Sequence, residues 1–462
     1  MNRNRVKLLQ RITSALLLVL GASLTYTSYA RVGGAGGHGG GGGGYSGGGH
    51  GFSGGGGFIG GGGSPSFIVI IIVIIIIIYV IKNKSGGVNT ETQAAPLAAT
   101  LPFPKGLDVN KVSHSFLAIQ DAWQRKDLTD VRKWLSDGMY QRLTTQFKMM
   151  DILGQSNILS NIRIDNIRVS DTHADGHYQT AEVAISFTMD DNFISNKYPQ
   201  FNEKYAGDSA TEYWTFIKRT DSADEKNLYD NNSCPNCGAP FEVKMGEISR
   251  CSNCNTLTNS AAYDWVLSEI TQSEAYTGGA GLSNDAGLDQ LMQNDPFFAV
   301  QRMEDIASNI FMQIMEVFPL NEEKRLSRFA DDATEATLLA QKKNLQPFIF
   351  DRLYLNSLTL STYTVADGMV KLYFDMSATY RRVSIQGNKV QMLDNDFVTR
   401  NYRMELSRNE KVLTKAGETV YSYECSSCGA PYTDTTEDHC TYCDAPVIDK
   451  QRNWVLTGFE WG

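Results

Sequence analysis

The sequence predicts an α+β protein built by tandem duplication, with a membrane region ahead of it. Three observations predict this. Eight cysteines fall into four Cys-x-x-Cys pairs forming two compact groups, Cys234, Cys237, Cys251, Cys254 and Cys425, Cys428, Cys440, Cys443. The surroundings of the two groups repeat at a spacing of roughly 190 residues: CPNCGAP from Cys234 is matched by CSSCGAP from Cys425, and Asp264-Trp265-Val266-Leu267 by Asn453-Trp454-Val455-Leu456. Upstream of each group, helical spacing gives way to strand alternation.

The helical spacing is explicit. Val112, Phe116, Ile119 and Trp123 stand four, three and four apart, and Val300, Met303, Ile306, Ile310 and Ile314 repeat the pattern. A second helix is expected on Leu128, Val131 and Leu135, and in the later unit a continuous helix from Arg325 to Lys343 carrying Leu326 and Phe329. Strands follow. Ala181, Val183, Ile185 and Phe187 alternate with Glu182, Ala184 and Ser186, as Val370, Leu372, Phe374 and Met376 alternate with their neighbours, which predicts sheets with one buried face. Trp214 and Phe216 mark a strand before the first cysteine group, and Tyr402, Met404 and Leu406 one before the second. Each unit runs helices, then antiparallel sheet, with the cysteine ribbon inserted before the last strand.

The first 100 residues read differently. Basic Arg3, Arg5, Lys7 and Arg11, apolar Ala15 to Leu20 and a small-residue site at Ser28-Tyr29-Ala30 make residues 1–30 a signal peptide or a first membrane segment. Residues 31–64 form a glycine-rich linker. Its Gly-x-Ser-x-Gly matches arise from composition alone, since no strand precedes them. Phe67 to Ile81 reads FIVIIIVIIIIIYVI, so residues 65–81 are expected to be a transmembrane helix. Lys82 and Lys84 follow it, which would place residues 82–462 on the cytoplasmic side of an inner membrane. The expected layout is then a linker over 82–106, a first domain over 107–275 with its ribbon at 232–256, a linker over 276–290, and a second domain over 291–462 with its ribbon at 423–445.

The 462-residue chain is 42% hydrophobic and 20% charged, ordinary for a globular protein, with a formal net charge of -9. That balance argues against nucleic acid as the main partner, because phosphate binding needs clustered basic residues. Two compact cysteine groups in a long chain point to metal rather than to a disulfide scaffold. Cys-x-x-Cys turns place two thiolates on one face of an ion, and two turns complete a tetrahedron. Two structural Zn2+ ions are expected, in a reducing compartment, with no open position for catalysis. A redox dithiol is the alternative, and His439 beside Cys440 is a competing ligand. His173 and His177 are separated by a turn-like Ala-Asp-Gly and do not read as a further metal site. No motif argues for an enzyme.

The layout resembles bacterial membrane proteins with a Tim-forty-four-like domain and a zinc ribbon, the zinc-ribbon transport proteins. The resemblance covers about residues 106–462 in two copies. It is carried by Tyr276-Thr277-Gly278-Gly279-Ala280-Gly281-Leu282, Asp295-Pro296-Phe297-Phe298, the order of helices and sheet, and the ribbons. It implies tandem cone-like domains, helices on a curved sheet around an apolar pocket. It also implies a membrane-anchored, non-enzymatic scaffold or tether that binds a protein or lipid partner in protein transport. The alternatives are nucleic-acid binding through the ribbons, where Lys244 and Arg250 lie, or an enzyme using the cone's pocket.

Overall fold

The computed structural model describes residues 101–461, apart from 223–225, 242–244, 279–285, 388, 417–419, 421–424, 426, 431, 433–438 and 448–453. The first half opens with α1 (Val109–Arg125), capped by Asp108, whose side chain accepts from the Lys111 amide. A 3-10 turn (Arg132–Trp134) leads to α2 (Asp137–Ile152), capped by Ser136. Four strands then form an antiparallel sheet in chain order, β1 (Gln155–Asp175), β2 (Tyr178–Ser195), β3 (Glu203–Arg219) and β4 (Val266–Gln272). In the second half α3 (Ala286–Asn294) and α4 (Val300–Leu320) precede a 3-10 segment (Glu323–Arg328) and α5 (Asp332–Lys343). The second sheet runs β5 (Ile349–Ala366), β6 (Met369–Gln386), β8 (Val398–Asn409), β9 (Val455–Trp461), with β7 (Lys389–Met392) pairing β6.

The two halves repeat each other down to their irregularities. The register shifts of β1 at Ser160/Arg163, Ile164/Asn166 and Val169/Asp171 recur in β5 at Asp351/Tyr354, Leu355/Ser357 and Leu360/Thr362, each 191 residues later. Asn161 and Arg352, inside the first shift, share a left-handed backbone with φ of 53° and 54°. Leu135 bridges in parallel to Leu267, and Ala330 to Leu456. Bulges set where a strand bends, so their recurrence reproduces sheet curvature as well as strand order.

Aromatic side chains fill the space between helices and sheet in each half, where the resemblance implied an apolar pocket. Phe116 lies 4.8 Å from Phe187 and 5.6 Å from Trp214 by ring centroids, and Phe311 lies 5.1 Å from Tyr402. Val112, Phe116, Ile119 and Trp123 are all buried, as their spacing requires.

The outer face of the first sheet is not left to solvent. Tyr178, Ile217 and Val266 on it pack with Ala299 of the second half, and Glu182 and Ala184 are buried with them. The expected single buried face is therefore corrected: the second half covers the other one. Met149 joins the second half's core and Tyr354 joins the first half's. Each half also supplies a carboxylate to a helix of the other. Asp175, at the end of β1, accepts from the Val300 and Gln301 amides (2.7 and 2.8 Å) at the start of α4, whose own N-cap Ala299 has no side-chain acceptor. Asp305 in α4 accepts from Ser136 Oγ (2.6 Å) and the Gly138 amide (3.0 Å) at the start of α2. The fit is close enough to demand glycine: a Cβ at Gly138 would lie 2.3 Å from Asp305 Oδ1.

Several expectations are corrected. Among the described residues no helix is long and apolar enough to cross a membrane, so the transmembrane helix drops out of the fold class. The segment assigned to it, Phe67 to Ile81, lies outside the described residues, as do the signal region and the glycine tract. Leu128, Val131 and Leu135 are buried, but they flank the 3-10 turn, Leu135 as an isolated bridge residue; the second helix is α2, which begins after Ser136. The helix expected from Arg325 to Lys343 is broken, because Ala330 bridges to Leu456 and Asp331 starts a new helix as its cap. Part of the spans 82–106 and 276–290, both read as linkers, belongs to the fold. Leu101 bridges to Val169, Tyr276 stacks on Tyr213 at 3.6 Å, and α3 begins at Ala286.

Candidate metal centres

Each cysteine pair sits on a tight turn of one repeated design. The first cysteine's carbonyl accepts from the amide just after the second cysteine, and its own amide donates to the next carbonyl along. In the first ribbon Gly238 N donates to Cys234 O (2.9 Å) and Cys234 N to Ala239 O (2.7 Å), while Asn255 and Cys251 do the same around the other pair. Gly429 with Cys425, and Asp444 with Cys440, repeat it at 2.8 Å in the second ribbon. The residue after each pair must be left-handed for this closure. Gly238 and Gly429 have φ of 74° and 71°, and Asn255 and Asp444, residue types that tolerate the region, have 61° and 59°.

These turns bring the sulfurs of each group together. Cys234 Sγ lies 3.6 Å from Cys254 Sγ and Cys237 Sγ 3.9 Å from Cys251 Sγ; Cys425–Cys443 and Cys428–Cys440 measure 3.5 and 3.7 Å. A disulfide needs about 2.05 Å. A tetrahedral ion with zinc–sulfur bonds of about 2.3 Å sets its sulfurs about 3.8 Å apart, which is the spacing present. Within each group all four sulfurs lie within 4.8 Å of one another, so both can hold a metal ion.

The electrostatics fit a cation. Hydroxyl and amide donors of Thr256 pull Cys254 down to about 6, while burial pushes Cys234 up to about 12. Four crowded thiols cannot all ionise unaided, and a divalent ion supplies the charge that lets them. Asn253 Nδ2 donates to Cys237 Sγ at 3.3 Å, and Asn236 Nδ2 to Cys254 Sγ at 3.6 Å. Such donors spread the negative charge of a four-thiolate site. With four sulfurs per ion the coordination shell is closed.

The structure thus brings all eight predicted cysteines into the two predicted groups. Among the described residues no third group of His, Cys, Asp or Glu is close enough to hold an ion. His439 bridges by its backbone to Pro446, outside the sulfur group. His173 contacts Asp171 at 2.9 Å, and the His177 ring packs against Phe297; neither belongs to a group that could hold an ion. Arg250 bridges to Leu257 by its backbone, and Lys244 lies outside the described residues.

Sequence reasoning missed the residues that anchor the first ribbon. Buried Arg132 donates through Nε to Gly246 O (2.8 Å) and through Nη2 to Glu247 O. Lys133 Nζ reaches Asn231 O (2.6 Å), and Arg325 of the second half pairs with Glu247 (3.0 Å). No periodicity or motif marks these contacts, because each joins residues far apart in the chain.

Residues 109–227 match the model of the Tim44-like domain family. The match runs from α1 through β3 and ends before the first cysteine pair. Among solved structures the chain is similar to one titled "Ntf2 like protein involved in plasmid conjugation", at 8% identity, covering 61% of this chain and 90% of that one with a TM-score of 0.13. A likeness that slight carries no argument. No curated protein matches.

Proposed function

We propose, from the Tim44-like domain matched over residues 109–227, that the chain is a non-enzymatic scaffold or tether that binds a protein partner, with two structural Zn2+ ions holding its ribbons. The family match is the observation that carries the scaffold reading. The closed four-sulfur shells support a structural role for the metal, since a catalytic zinc keeps a position open for water. Eight cysteines free of disulfides support placing this part of the chain in a reducing, cytoplasm-like compartment.

Two measurements test the reading. Metal analysis of the purified full chain should give two zinc ions, one lost with Cys234→Ser and one with Cys425→Ser. Thiols found paired and metal-free would overturn the zinc assignment. Crosslinking in cells followed by affinity purification should recover the same protein partner repeatedly. Recovery of none, together with small-molecule turnover by the purified chain, would overturn the scaffold.

A further inference from the structure

The first ribbon is wired into the contact between the two halves, and we propose that metal in the first centre is what keeps α2 and α4 tightly joined. This rests on the zinc reading above. The wiring runs through the hairpin between the two cysteine pairs. Thirteen residues separate Cys237 from Cys251. The described ones among them contribute two isolated bridge residues, Pro240 and Arg250, but no strand or helix. Its tip is caught from the first half by Arg132, which donates to the Gly246 and Glu247 carbonyls, to Leu135 O (2.7 Å) and to Asp137 at the start of α2. Ser249 Oγ returns a bond to Arg132 O at 3.2 Å.

The side chain of Glu247 then reaches into the second half. Arg325 Nη1 donates to Glu247 Oε1 at 3.0 Å, and Arg325 Nε to Glu322. Lys148 of α2 lies 3.4 Å from Glu322 and 2.7 Å from Glu316 of α4. Glu316, fully buried, also accepts from Gln141 (2.9 Å) and Thr145 (2.8 Å) of α2. Charged contacts therefore run without a gap from the hairpin to Arg325, through Glu322 and Lys148, to the carboxylate that ties α2 to α4. Arg325 is 9% exposed. Stripped of Glu247, this desolvated guanidinium keeps its hydrogen bond to Glu322 but loses half of its carboxylate pairing.

The metal enters because the described residues of this hairpin form no strand or helix, so the ion at its base, together with Arg132, sets where Glu247 stands. Releasing the ion restores conformational entropy to Gly246–Ser249 and withdraws Glu247 from Arg325. The second ribbon makes a contrast. Among the described residues, Cys425 and Cys440 cluster with Tyr432, Val447, Ala430 and Ala445, a group separate from the cores that join the halves.

Hydrogen exchange on the full chain tests this, with metal content measured in parallel. Cys237→Ser should lose one ion and speed exchange about ten-fold in Gly246–Ser249, α2 and α4. The Asp351–Leu355 stretch of β5, held elsewhere in the interface by the bidentate Arg352–Glu203 pair, should keep its protection. Cys428→Ser should lose the other ion and leave α2 and α4 unchanged. Glu247→Gln, which touches no ligand, should keep both ions and still speed exchange in α4. Ion loss from Cys237→Ser without faster exchange in α2 and α4, an equal effect from Cys428→Ser, or unchanged exchange in Glu247→Gln would each overturn the joint while leaving the zinc reading intact. A wild-type chain with no metal would instead overturn the zinc reading and the inference together.

Discussion

Asp305 is asked to do two opposed things. Its carboxylate accepts from Ser136 and Gly138 at the start of α2, which favours the charged form, but it does so inside the contact between the halves. Burial wins. It raises Asp305 from 3.8 to about 6, against those two donors and Arg302, with Asp137 adding to the rise. The folded state therefore prefers the protonated acid more than the unfolded chain does. The stabilisation from this preference is complete below pH 4 and is lost as pH rises through about 6, a swing of about 3 kcal/mol. Asp305→Asn keeps an acceptor for the amide but cannot ionise. Its stability relative to the parent should climb between pH 4 and 7 and then level off, as read by urea denaturation. A difference that does not vary with pH would refute the assignment.

At the scale of elements, α4 is the helix that carries the contact. Its start has no side-chain cap of its own, and its first amides are satisfied by Asp175 from the other half. Negative charge there also meets the positive end of the helix dipole. Asp175→Ala should cost about 1–2 kcal/mol, the range for a lost cap, and Asp175→Asn should recover most of it because its carbonyl can still accept. Denaturation midpoints that do not separate the two variants would show that α4 is capped some other way. The cysteine turns are elements of the opposite kind. Each closes on its own backbone within a few residues, which is why cysteine spacing alone identifies them.

The molecule as a whole behaves, on this geometry, as one unit. Cross-capping by Asp175 and Asp305, the shared cores at Met149 and Tyr354, and the Arg352–Glu203 pair all require both halves to be folded together. Residues that lose their partners on separation include buried charges, whose exposure without compensation is expensive. The metal-loaded chain should accordingly unfold in one transition, with calorimetric and van't Hoff enthalpies in agreement. Two resolved transitions would mean that the halves are independent beads.

What could be read from the sequence follows from how local the cause is. The helical stripe from Val112 to Trp123, the alternation from Ala181 to Phe187 and the four Cys-x-x-Cys turns depend on spacing along a few residues, and spacing is visible in one dimension. The same locality misled where apolar spacing was ambiguous: Leu128, Val131 and Leu135 fit a helix as well as the positions they take around the 3-10 turn, because Leu135 is claimed by Leu267 from across the chain. The sequence by itself determined the long helices and strands, the duplication and the cysteine groups, since each is encoded by a period or a repeat. Only the tertiary structure decided that the second half covers the first sheet, that Asp175 and Asp305 each serve the start of a helix in the other half, and that the first ribbon is clasped by Arg132 and Arg325. Those contacts join residues far apart in the chain, and their energy comes from burial and charge pairing that exist only once folding has brought them together.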